Sequence, residues 1–175
     1  MMKYMLIFFF FIIYSYAPAQ DDYETYFTDD VLRIDFILAG DKANESIYLA
    51  ELKKEAHWAG PGTNYMIPFD YGNYRIQVKS EEDRLIYRRG FSTLFEEYQT
   101  TEKAKNQTRS FYQTIRVPYP KDTVDIFIQK RTYETGKFIT LLEKQVDPGD
   151  YFINKEGSPD VEYDEIMKAG AGVLG

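Results

Sequence analysis

Val31-Leu32-Arg33-Ile34-Asp35-Phe36-Ile37-Leu38 is the stretch on which the fold turns. Leu32, Ile34, Phe36 and Leu38 share one parity, and Arg33 and Asp35 fall on the other. A β-strand sends successive side chains to opposite faces, so this period of two predicts a strand with one face in a core and one toward water. Outward from it the same signal recurs. Tyr74, Ile76 and Val78 alternate with Arg75, Gln77 and Lys79; Ser80 to Arg84 is polar, and Leu85 to Arg89 returns as the second arm of a hairpin with a longer loop. Phe111, Ile115 and Val117 share a parity until Pro118 and Pro120, which are expected to stop the segment, and Val124, Ile126 and Ile128 restart it. Thr132 to Gly136 supplies a turn before the apolar run Phe138 to Val146, and Ile47 to Leu52 adds a strand of less clean pattern. Seven or eight short strands predict an all-β fold, an antiparallel β-sandwich of immunoglobulin-like or related Greek-key type.

The stretch Phe91 to Lys105 departs from this rhythm. Thr93 and Glu96 have the spacing of a capping box ahead of Leu94, Phe95 and Tyr98, so a short helix is expected inside a crossover that carries the chain from one sheet edge to another.

The ends read differently. Lys3, an apolar run from Met5 to Ile13, and Ala17-Pro18-Ala19 have the layout of a secretory signal peptide, with cleavage after Ala19 leaving Gln20 first. The apolar run is far shorter than the roughly 20 residues of a spanning helix. The expected division is a signal peptide over 1–19, a β-sandwich domain over 20–154 and a linker-like tail over 155–175, for which the start of a truncated peptidase domain is one reading. The expected location is secreted, periplasmic or cell-surface, with no membrane span after signal cleavage.

Composition narrows the chemistry. The chain has no cysteine, which excludes a disulfide framework, a thiolate zinc site and a lipoprotein anchor. The net charge is −7, one unit more negative once Lys3 is removed, and an acidic surface is the wrong partner for nucleic acid. His57 is the single histidine, so a His-Glu-x-x-His zinc site cannot be built. No serine sits in a Gly-x-Ser-x-Gly elbow. The adjacent carboxylates Asp29-Asp30, Glu81-Glu82-Asp83 and Glu96-Glu97 read as solvated loop or helix-end charges, and Asp147-Pro148-Gly149-Asp150 as a tight turn rather than a calcium loop. No catalytic, cofactor or metal residue is named. The candidate ligand contacts are Trp58, the only tryptophan, within His57-Trp58-Ala59-Gly60-Pro61-Gly62, and Tyr65 beyond it. Trp58 as a plug at one end of the core is the competing reading.

The order and spacing of Asp29 to Gly40, Trp58-Ala59-Gly60, Phe69-Asp70-Tyr71-Gly72, Tyr87-Arg88-Arg89-Gly90-Phe91, Gln99-Thr100-Thr101-Glu102, Val117-Pro118-Tyr119-Pro120 and Val146-Asp147-Pro148 resemble the amino-terminal domain of the secreted IgA-type zinc metallopeptidases, metallopeptidase family sixty-four. The resemblance runs from about Tyr23 to Ile153 and implies a β-sandwich that precedes a zinc catalytic domain. It implies no catalytic role for any residue here, no cofactor in this chain, and zinc only in the missing catalytic domain. The expected function is that of an accessory, non-catalytic domain whose partner is a zinc peptidase domain in cis, with a protein or glycan substrate. A stand-alone secreted carbohydrate- or protein-binding module using the Trp58 loop is the alternative.

Overall fold

The computed structural model describes residues 23–63, 65–67, 69 and 71–155. The expected signal peptide and the tail after Lys155 lie outside the described residues. A single helical turn, α1 (Tyr23–Tyr26), leads into β1 (Phe27–Gly40) and β2 (Glu45–Glu55), followed by β3 (Tyr74–Ser80) and β4 (Leu85–Phe91). The crossover holds α2 (Leu94–Gln99) and a 3-10 turn (Glu102–Lys105). β5 (Arg109–Pro120), β6 (Val124–Arg131), β7 (Phe138–Val146) and β8 (Ile153–Asn154) complete the chain. The strands form two four-stranded sheets, sheet one in the order β5-β1-β2-β8 and sheet two in the order β4-β3-β6-β7. The fold is an all-β sandwich, as the alternation implied.

Leu32, Ile34, Phe36 and Leu38 from β1 face Tyr74, Ile76 and Val78 from β3 and Ile126 and Ile128 from β6 in one core, each essentially enclosed. Burying side chains of this size is worth about 1.5–3 kcal/mol apiece, so the central strands supply most of the driving force. β4 is an edge of sheet two and β5 an edge of sheet one, so the crossover does carry the chain between sheet edges. Thr93 caps α2: its hydroxyl accepts the Glu96 amide at 3.2 Å. The Glu96 carboxylate is directed elsewhere, accepting from Asn73 and from the Tyr133 hydroxyl. Phe95 and Tyr98 turn inward and pack on Phe111.

The structure corrects four expectations. Pro118 and Pro120 do not stop β5, which runs to Pro120; proline lacks an N–H to donate, and β5 pairs only with β1, leaving one side free of that requirement. The sandwich is not wholly antiparallel, because β8 pairs parallel to β2 at Leu52 and Lys53. Asp29 and Asp30 lie within β1 rather than in a loop, and Asp30 pairs with Lys54 at 2.7 Å. Asp35, on the parity expected to face water, is completely enclosed. The unclean pattern of β2 also has its cause. Asp35 pairs with Glu51 and Phe36 with Leu49, so Ala50 is an extra residue. This bulge switches the inward parity from Ile47 and Leu49 to Leu52.

Candidate functional site

Two regions concentrate polar chemistry. The first is the outward face of sheet one. Arg33 lies between Lys53 and Arg116, and Asp35 between Glu51 and Thr114. The Arg33 guanidinium donates to Asp35 at 2.7 and 3.0 Å and to Glu55 at 2.8 Å, and reaches Glu51 at 3.4 Å. Thr114 donates to the other Asp35 oxygen at 2.7 Å, Arg116 to Glu55 at 2.8 Å, and Asn154 to Glu51 at 2.7 Å. Burial pushes the Asp35 carboxyl up, but hydrogen bonds from Thr114, Arg33 and Tyr112 outweigh it and hold the group below its usual range. Glu55 behaves likewise, with Arg116 and Arg33 overcoming burial. A satisfied network of fixed charge tethers the strands it crosses.

The second region is a cavity of about 590 Å³ beside the Trp58 loop, lined among others by His57, Trp58, Tyr65, Tyr87, Arg89 and Arg116. The loop is built to hold the indole. The Trp58 amide donates to the Asp29 carbonyl at 2.7 Å, and its Nε1 to the Pro61 carbonyl at 3.3 Å. Gly60 lies so close to the ring that a Cβ there would sit 2.1 Å from an indole carbon. His57 takes a φ of 61°, in the left-handed region, which turns the chain into the loop. Its side chain is 91% exposed, 3.8 Å from the Asp29 carboxylate.

Trp58 is half-buried, edge-on to Tyr87 with ring centroids 6.2 Å apart, so one sequence reading does not exclude the other: the indole packs on the core and also walls the cavity. Tyr65 lies deeper, 4% exposed, with edge contacts to Tyr23 and Phe27. Burial, with Asp29 nearby, pushes the Tyr23 phenol up to about 12. The cations were not singled out from the sequence. Arg89 belongs to β4 and Arg116 to β5, 27 positions apart, and no local pattern links them.

Asp147 to Asp150 forms a turn, with the Asp150 amide on the Asp147 carbonyl at 3.0 Å and the Gly149 amide on the Asp147 carboxylate at 2.7 Å. Among the described residues no three His, Cys, Asp or Glu side chains gather as metal ligands, and no helix is long and apolar enough to cross a membrane.

A search of curated proteins finds no match to the chain. The family described as Peptidase M64 N-terminus matches residues 22–142, from the residue before α1 into β7. That match spans well over half of the 175 residues and takes in both the crossover and the Trp58 loop, so the chain belongs to the peptidase family sixty-four and represents its amino-terminal domain.

Proposed function

We propose that this chain is the accessory, non-catalytic part of a secreted IgA-type zinc metallopeptidase, packing beside a zinc peptidase domain in cis or presenting substrate to it. The family match over 22–142 carries the reading. The chemistry supports it: with a single histidine, no cysteine, and Asp35 and Glu55 held in ion pairs, no nucleophile, base and orienter come together among the described residues. The signal-like Met1 to Ala19 supports export, with Gln20 as the first residue of the exported form.

Metal analysis of the dialysed full chain, run beside a casein or immunoglobulin digestion, tests the non-catalytic role. No bound zinc and no cleavage are expected; one tightly held zinc per chain with chelator-sensitive proteolysis overturns it. Adding a family catalytic domain bearing His-Glu-x-x-His should yield a complex on gel filtration, and two separate peaks at micromolar concentration would defeat the packing role. Sequencing the exported protein from its amino terminus tests the cleavage site.

The cavity at Trp58 favours a second reading, a binding module that acts without a catalytic domain. Ligand capture by the chain, with no affinity for the peptidase domain, would select it.

A further inference from the structure

The Trp58 cavity does not end at the loop. A second cavity of about 420 Å³ is lined by Phe91, Ser92, Gln113 and Thr114 and shares Arg89 and Arg116 with the first. The two make one groove along the open side of the sandwich, between the β4 edge of sheet two and the β5 edge of sheet one.

Its walls are unequal. The β4 edge is already covered: Met66 bridges to Arg88 in parallel, Arg88 donates to the Ile67 carbonyl at 3.1 Å, and Gly90 lies so near Tyr71 that a Cβ would meet its carbonyl oxygen at 1.9 Å. The β5 edge has β1 on one side and, among the described residues, no strand on the other. Pro118 and Pro120 remove two N–H groups at its end, a common guard against stray pairing. No proline guards the stretch from Arg109 to Arg116, which is left able to accept another strand.

The groove's cations set the partner's charge. Arg116 uses its Nε for Glu55, and none of the described residues bonds its two terminal amino groups. Arg89 sits on the same parity as Tyr87, turned toward sheet one, and is exposed, with no described carboxylate within ion-pair range. Glu55, the acidic group lining the cavity, is already held by Arg33 and Arg116.

We propose that this groove binds an extended acidic peptide segment, paired by its backbone to the free edge of β5, with its carboxylates received by Arg89 and Arg116 and a side chain against Trp58. Backbone pairing gives affinity without sequence demand; Arg89 faces the groove from sheet two and Arg116 leaves β5 on the outward side with Arg33, so carboxylates at adjacent positions of the added strand, one on each face, meet the two arginines. A guanidinium with free terminal amino groups takes a carboxylate through two parallel hydrogen bonds. This deepens the substrate-presenting role proposed above and rests on it.

The lone tryptophan makes the test direct. Fluorescence of the full chain is titrated, in the absence of any peptidase domain, with end-blocked octapeptides of repeated Glu-Glu-Val-Val, of repeated Lys-Lys-Val-Val, and of the Glu sequence with a central proline. A saturable change is expected with the first, weakened at least tenfold by Arg89→Gln, by high salt and by the central proline, and absent with the lysine peptide. Circular dichroism confirms that Arg89→Gln keeps the native fold, and Arg89→Lys should recover part of the affinity. Equal response to the Glu and Lys peptides, indifference to Arg89→Gln, or undiminished binding of the proline peptide overturns the proposal. So does binding of free glutarate as tight as that of the Glu peptide, which indicates a single-carboxylate pocket. A concentration-dependent dimer that shields Trp58 also overturns it, because the β5 edge then belongs to a second copy. Because no peptidase is present, failure to bind peptide leaves the packing role standing, and failure to pair with a catalytic domain leaves the peptide result standing.

Discussion

The outward faces of the two sheets are built from similar residues and do different things. On sheet one, Arg33 is shared among Asp35, Glu51 and Glu55, and the network crosses β1, β2 and β5 and reaches β8 through Asn154. On sheet two the cations act in local contacts: Arg75 donates to Gln129 at 2.7 Å and lies 4.0 Å over the Phe138 ring, while Lys79 pairs with Asp83 four residues on and sits 5.3 Å from Phe127. Sheet one encloses a carboxylate completely, and sheet two encloses none. A buried charge is costly unless fully paired, so removing one member of the first set strands the others, whereas removing one member of the second returns its partner to water.

That contrast can be broken most forcefully at Asp35. Asp35→Ala leaves Arg33 without its shortest contact and Thr114 without an acceptor, and should lower stability by about 3 kcal/mol, read from urea midpoints. A loss below about 1 kcal/mol would put the two faces on an equal footing.

Acid should act on sheet one first. Asp35 and Glu55 are both held below their ordinary values in the folded state. Their contribution is therefore complete above the unfolded values of about 3.9 and 4.3 and is lost as pH falls through the lower folded values. Urea midpoints should drop as pH falls below about 4, and the drop should be smaller in Asp35→Asn. An identical acid slope in that variant would remove Asp35 from the account.

Glu55→Gln is the intermediate case. Two arginines lose a charged partner at the margin of the network, where Arg116 is exposed to solvent, and about 1 kcal/mol should be lost. Arg75→Ala on sheet two should cost least, about 0.5 kcal/mol, through its contact with Phe138. A cost for Arg75→Ala matching that for Asp35→Ala would show that sheet two is also a network.

Much of the architecture was legible from Val31 to Leu38 outward, because strand alternation is a local signal: each inward residue announces a core two positions from the next. The crossover was legible for the same reason, since the Thr93 cap acts within one turn. Where the pattern misled, the cause lay across the sheet. The parity switch at Ala50 depends on how β2 registers on β1, and the continuation of β5 through its prolines depends on its having one neighbour instead of two.

By itself, then, the sequence determined a strand-built domain with an acidic surface, no thiol and one imidazole, because composition and short-range period are properties of the chain before it folds. It also singled out Trp58, which stands alone as a tryptophan beside a Gly/Pro turn. Only the tertiary structure decided that Asp35 is enclosed on an outward face, that Tyr65 sits in the core, and that Arg89 and Arg116 both line the cavity beside Trp58. Those outcomes come from strands brought together across long stretches of chain, where sheet order and register, not local spacing, choose the neighbours.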